Sequence, residues 1–175
     1  MPEQPPQPIR HERLEDDGTF PNNQELPVLI YTSAFDAQHS DLADRMEQTF
    51  RQNKWTGAWR NGIYSYHHYH STAHEVLGVY RGSVNVQLGG PEGINVDASA
   101  GDVLVLPAGT AHKNKGSSSS FRCIGAYPSG QDWDMNYGKE NERPAADQNI
   151  KQVPLPEQDP VHGKDGPLID KWKVS

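Results

Sequence analysis

A chain of 175 residues has room for one folded domain, and a domain of that size buries about 70% of its unfolded surface without needing a disulfide framework. The 16 Lys and Arg against 23 Asp and Glu leave a net charge of −7 with no basic cluster, which excludes a surface built to hold phosphate backbones. No apolar run approaches a membrane span, and the first residues lack the hydrophobic centre of a secretory signal. A cytoplasmic protein without membrane or nucleic-acid partners is therefore expected. Its lone cysteine, Cys123, lies in the apolar stretch 121–127 and reads as a small buried hydrophobe.

Residues 1–24 are rich in proline and polar groups and read as a flexible arm, leaving 25–175 as one domain. The run Pro27–Ser33 is a strand candidate. Residues 40–54 read as a helix: Ser40 can cap it, acids fill its first turn and bases its last, and Leu42, Met46 and Phe50 make one apolar stripe. From Gly62 to Tyr127 the apolar pattern has period two. Strands are expected over 63–70, 74–81, 83–88, 94–98, 102–106 and 121–127, separated by Gly, Pro, Asn and Ser breaks. Many short, near-regularly spaced strands predict an all-β sandwich or barrel with its core in 60–127. No glycine cluster opens a helix in a nucleotide-binding pattern, and no internal repeat is visible. Residues 128–175 form an extended tail.

Four of the eight histidines, His67, His68, His70 and His74, fall within eight residues. Imidazole is the commonest metal ligand near neutral pH. On a strand, His68 and His70 share a face with Tyr64 and Tyr66, while His67 points away. A further ligand must come from a neighbouring strand, and either Glu75 or His74 can supply it, since the two face opposite ways. His112 is another candidate: it follows a strand and a Pro107–Gly109 turn that returns the chain. On strand 83–88, Val84, Val86 and Leu88 form one face and Ser83, Asn85 and Gln87 the other; either can face inward.

Two runs carry a resemblance. Gly62-x5-His68-x-His70-x4-Glu75-x6-Gly82 resembles the first cupin motif, and Gly101-x5-Pro107-x-Gly109-x2-His112 resembles the second. Gly116 stands where the second motif usually ends in Asn. The tail segments Tyr127–Gly138, Glu142–Asp147 and Pro154–Pro156 are similar to those of small bacterial YjlB-like cupins. The resemblance implies a cupin double-stranded β-helix, a jelly-roll barrel with one N-terminal helix and an extended C-terminal tail. It also implies that His68, His70, Glu75 and His112 hold one divalent transition metal, which settles the choice of Glu75 over His74.

Three imidazoles and a carboxylate suit Fe, Mn, Ni, Co, Cu or Zn and leave two octahedral positions open. Tyr64, Tyr66, His67 and Gln87 are candidates for the pocket or for groups buttressing the ligands. Such a site fits a metal-dependent enzyme, of dioxygenase or isomerase type, acting on a small oxygen-rich organic molecule. The alternative is a non-catalytic small-molecule binding or sensing protein, although no helix-turn-helix accompanies the barrel. A homodimer is expected, with the strand at 28–33 completing a neighbour's sheet.

Overall fold

The computed structural model describes residues 9–173. Strands β1 (Arg10–Glu12) and β2 (Val28–Tyr31) precede helix α1 (Leu42–Gln52). Then come β3 (Trp55–Asn61), β4 (Glu75–Arg81), β5 (Ser83–Leu88), β6 (Ile94–Ser99), β7 (Val103–Leu106), β8 (His112–Ser117) and β9 (Arg122–Pro128). Two short helices, α2 (Ala145–Gln152) and α3 (Pro167–Lys171), follow. The strands make an antiparallel six-stranded sheet, ordered β1-β2-β7-β4-β9-β3, and a three-stranded sheet, β6-β5-β8. From β4 to β9 the chain passes back and forth between the two, which makes the molecule a jelly-roll barrel.

The central strands are buried on both faces, and their sequences say so. In β7, Leu104 and Leu106 join the core between the sheets with Val84, Val86 and Leu88, while Val103 and Val105 face α1. This is why β7 reads as an unbroken apolar run. The stripe Leu42, Met46 and Phe50 is buried against that outer face. It comes so close that a Cβ on Gly78 of β4 would lie 2.7 Å from the Met46 sulfur. The helix begins at Leu42 with Asp41, not Ser40, in the cap position.

Several expectations change. No strand covers 63–70: the segment after β3 is irregular and touches the sheets through single bridges, His68 to His112 and Tyr69 to Asn136. Trp55–Asn61, whose alternation is broken by a bulge between Thr56 and Trp59, is a strand instead. The tail carries α2 and α3, which their few buried residues, Ala146 and Leu168, left without a clear apolar period. Strand β2 lies between β1 and β7 of its own sheet, so it has no free edge with which to complete a neighbour's.

The arm expected over 1–24 is also corrected; residues 1–8 lie outside the described residues. Arg10–Glu12 pairs with β2, and Leu14 and Phe20 are buried. Two asparagines supply what this proline-rich segment lacks in apolar periodicity. The Asn22 amide donates to the carbonyls of Glu15 and Gly89, at 2.8 and 3.1 Å, and accepts from Ala111 N–H at 3.0 Å. Asn23 donates to the Ala108 carbonyl at 3.0 Å and accepts from the N–H groups of Glu25 and Leu26. Asn23 thus clamps the Pro107–Gly109 turn at Ala108, and Asn22 holds the chain just beyond it at Ala111.

Removing Asn22 strands buried backbone groups, a loss of about 2 kcal/mol. Asn22→Ala is expected to lower the thermal midpoint by about 4–8 °C, read by circular dichroism. An unchanged midpoint would return residues 9–24 to the status of an arm.

Candidate metal centre

The pleat of β4 decides which of two adjacent residues enters the barrel. Leu77 and Val79 join the core between the sheets, so Glu75 points inward with them; Val76 and Gly78 face α1. His74 goes outward with that second set. Its ring packs on Trp172 at 4.8 Å, and its Nδ1 accepts from Ala108 N–H at 2.9 Å. Burial pushes His74 down to about 3, so it sits as a neutral core group.

His68 reaches the same interior through its bridge to His112. His68 N–H donates to the His112 carbonyl at 3.2 Å, and His112 N–H donates back at 2.9 Å. The two rings stand 4.0 Å apart, and His70 lies 5.8 Å from His68 and 5.5 Å from His112. The Pro107–Gly109 turn holds His70 as well, because Gly109 N–H donates to the His70 carbonyl at 2.7 Å. One ligating atom from each of His68, His70 and His112 falls within 4.8 Å of the others, and all three residues are buried.

The backbone sets the tautomer of each ring. Nδ1 of His68 lies 3.0 Å from the Tyr66 carbonyl, Nδ1 of His112 lies 3.0 Å from that of Thr110, and Nδ1 of His70 lies 2.5 Å from that of Asp134. A carbonyl only accepts, so each Nδ1 carries the proton and each Nε2 keeps a bare lone pair. Burial, and then the adjacent His112 ring, pushes His68 down to about 3, which keeps it neutral. Glu75 Oε1 stands 3.3 Å from His112 Nε2 and 3.7 Å from His70 Nε2. It is buried and has no hydrogen-bond partner among the described residues. A carboxylate oxygen facing imidazole lone pairs is repulsive unless a cation lies among them. The donor set therefore fits a metal ion.

These groups line a cavity of about 350 Å³. Leu77, Ile63, Tyr64 and Met135 form part of its wall, with Trp59, Tyr127 and Trp133. Trp59 lies so flat on β9 that a Cβ on Gly125 would be 2.3 Å from its ring. Its indole N–H donates to the Tyr127 hydroxyl at 2.7 Å. Burial and the neighbouring Glu75 charge push the Tyr127 hydroxyl up, so it stays a phenol.

Of the candidate pocket residues, Tyr64 lines the cavity, and Tyr66 stacks on it at 4.9 Å with its own edge toward His68. His67 does not join the site: its ring packs on Phe20, 5.4 Å away. Gln87 does not either, because Val84, Val86 and Leu88 take the inward face of β5 and its amide donates to the Pro91 carbonyl on the other side. Sequence pattern gave no sign of Trp59, Tyr127 or Met135 as walls, since each comes from a segment outside the histidine cluster.

The tail buttresses the centre. Asp134 accepts from Ser71 N–H at 2.6 Å, from the Ser71 hydroxyl, and from Asn136 Nδ2 at 3.0 Å. This clamp places the Asp134 carbonyl on His70 Nδ1. Asp134→Ala is expected to weaken zinc binding about tenfold or more by calorimetric titration, because it frees the His70 ring to turn. Unchanged affinity would mean that the barrel alone orients His70.

No family model matches the chain. Among solved structures, the chain is similar to the dTDP-6-deoxy-D-glucose-3,5-epimerase RmlC of Legionella pneumophila, with a TM-score of 0.42, 17% identity and 86% of each chain covered. It is also similar to the acireductone dioxygenase of Bacillus anthracis, which has a cadmium ion in its active centre, with a TM-score of 0.42 and 13% identity over 74% of this chain and 83% of that one. Procruciferin, an 11S globulin of Brassica napus, has a TM-score of 0.38 and 17% identity over 74% of this chain; the chain spans only 27% of that protein. A curated relative, the uncharacterized protein YjlB of Bacillus subtilis, is 41% identical over 157 residues, covering 90% of this chain and 92% of its own. On that identity across nearly its whole length, and with both motifs seated in a jelly-roll barrel, the chain belongs to the YjlB-like cupins.

Proposed function

We propose that His68, His70, Glu75 and His112 hold one divalent transition metal, and that the chain is a metal-dependent enzyme of dioxygenase or isomerase type acting on a small organic molecule through its oxygen atoms. The observation that carries this reading is the buried Glu75 Oε1, without a hydrogen-bond partner and set against imidazole nitrogens whose protons are committed elsewhere. Three neutral nitrogens and one anionic oxygen suit Fe, Mn, Ni, Co, Cu or Zn. A metal bound there supplies Lewis acidity toward a carbonyl or enolate oxygen.

The chain's own groups do the rest. Trp59, Ile63, Leu77 and Met135 give the space above the ligands an apolar wall. Tyr127, held by the Trp59 indole, keeps its proton and offers a hydroxyl at the cavity wall. Asp134 keeps the His70 ring in its ligating orientation.

The reading extends to a cytoplasmic, homodimeric protein. Strand β1 leaves an open edge on the six-stranded sheet, where a second copy can pair. Light scattering that returns the single-chain mass of 19.5 kDa would contradict the dimer.

Elemental analysis of untagged protein tests the metal. The parent is expected to carry about one transition-metal ion per chain, as one convergent set of four protein donors requires. His112→Ala is expected to lose most of it, because one of four donors is gone. His162→Ala is expected to keep it, since that exposed ring lies near Tyr31 on the outer face, 5.9 Å away. Full occupancy in His112→Ala would overturn the ligand set.

A further inference from the structure

The aromatic mouth of the cavity points to the kind of molecule that enters it. We infer that the site selects an uncharged, flat, aromatic or conjugated molecule that carries its oxygen donors at one end only. This inference rests on the metal reading above, since the ligand set is what receives that end.

Polar groups are concentrated at the floor, where the three imidazoles and Glu75 meet. Above them the polar groups of the walls are few, chiefly the Tyr64 and Tyr127 hydroxyls and the Asn61 amide. Ile63, Leu77 and Met135 have no donor or strong acceptor, and the Trp59 indole N–H is already given to Tyr127. Two cations stand near the rim: Arg60 is committed to Asp44 at 2.9 Å and Glu47 at 3.8 Å, and Lys139 outside the lining lies over the Tyr137 ring at 5.4 Å. A phosphorylated or carboxylated tail would find no free positive charge among these walls. A polyhydroxylated molecule would leave most of its hydroxyls unpaired, at a full desolvation cost for each.

The rim is built for a flat face instead. Tyr64 and Tyr66 stack at 4.9 Å and 14°, and Tyr137 continues the row 5.9 Å from Tyr66. Trp133 stands 5.5 Å from the His70 ring. Tyr64, Tyr66, Tyr137 and Trp133 are 53%, 43%, 46% and 50% exposed, far more than the buried aromatics Trp55 and Tyr69. Large apolar groups grouped on one rim, above a ligating floor, are the mark of a binding surface rather than of scattered exposure.

The test uses zinc-loaded protein and three probes, followed by calorimetry with the zinc content measured alongside. The probes are 4-methylcatechol, oxalate and D-fructose: a flat chelator, a chelator without a ring, and a molecule with oxygens all round. The parent is expected to bind 4-methylcatechol at least about tenfold more tightly than D-fructose. Trp133→Ala is expected to weaken 4-methylcatechol about fivefold, to leave oxalate within about twofold, and to keep its zinc. Fructose binding as tightly as the catechol, or a Trp133→Ala protein with unchanged catechol affinity, would overturn the inference while the metal reading stands. A parent that retains no zinc would overturn the metal reading and this inference with it.

Discussion

The pleat of β4 is the constraint on which the rest depends. Successive residues of a strand point to opposite faces, so one choice of register sends Glu75, Leu77 and Val79 into the barrel and Val76 and Gly78 toward α1. A slip of one residue would bring His74 inside and bury the Glu75 carboxylate against Trp172, with the Ala108 N–H that now serves His74 in place of the imidazole set. Gly78 holds the register. Met46 and Phe50 of α1 press so close that a larger side chain there would have to push them aside, which favours seating the helix over the glycine. The apolar stripe of a helix thus decides the direction of a carboxylate on the far side of the sheet.

Around that strand, parts from outside the barrel hold the parts inside. Asn22 and Asn23 fix the turn that carries His112. Asp134, in the segment after β9, turns the ring of His70. Trp172, near the end of the described chain, covers His74 and donates its indole N–H to the Pro27 carbonyl at 2.9 Å. Asp159 joins these outer segments by accepting from the Tyr31 hydroxyl and from the N–H groups of Val161, His162 and Leu168. The candidate centre therefore draws on residues from both ends of the chain, not only on the stretch that contains its ligands.

Much of this was legible in the sequence, because it rests on periodicity and spacing. Ser83–Leu88 was readable as β5 to the residue, and the Leu42, Met46 and Phe50 stripe as a buried face. His68 and His70 were legible as a pair, but through a strand over 63–70 that does not form. What brings His68 beside His112 is one bridge between two backbone segments. The segments before β2 and after β9 were opaque for a different reason. Their order comes from single side chains bonded to distant carbonyls, as with Asn22 to Gly89, and such bonds leave no period. The cavity walls were hidden likewise. Gly125 and Trp59 look unremarkable apart, and only the pairing of β3 with β9 lays one on the other. The alternation in β5 separated Val84 from Gln87 but carried no mark of which face the barrel would take.

The central claim is that the backbone commits the Nδ1 proton of His68, His70 and His112, leaving three lone pairs to converge with Glu75 on one cation. Long-range proton–nitrogen NMR of nitrogen-15-labelled histidines reads the tautomer of each ring directly. Metal-free protein is predicted to show all three rings protonated at Nδ1, with only their Nε2 resonances moving sharply when one equivalent of zinc is added. Rings protonated at Nε2, or Nε2 resonances indifferent to zinc, would contradict the account.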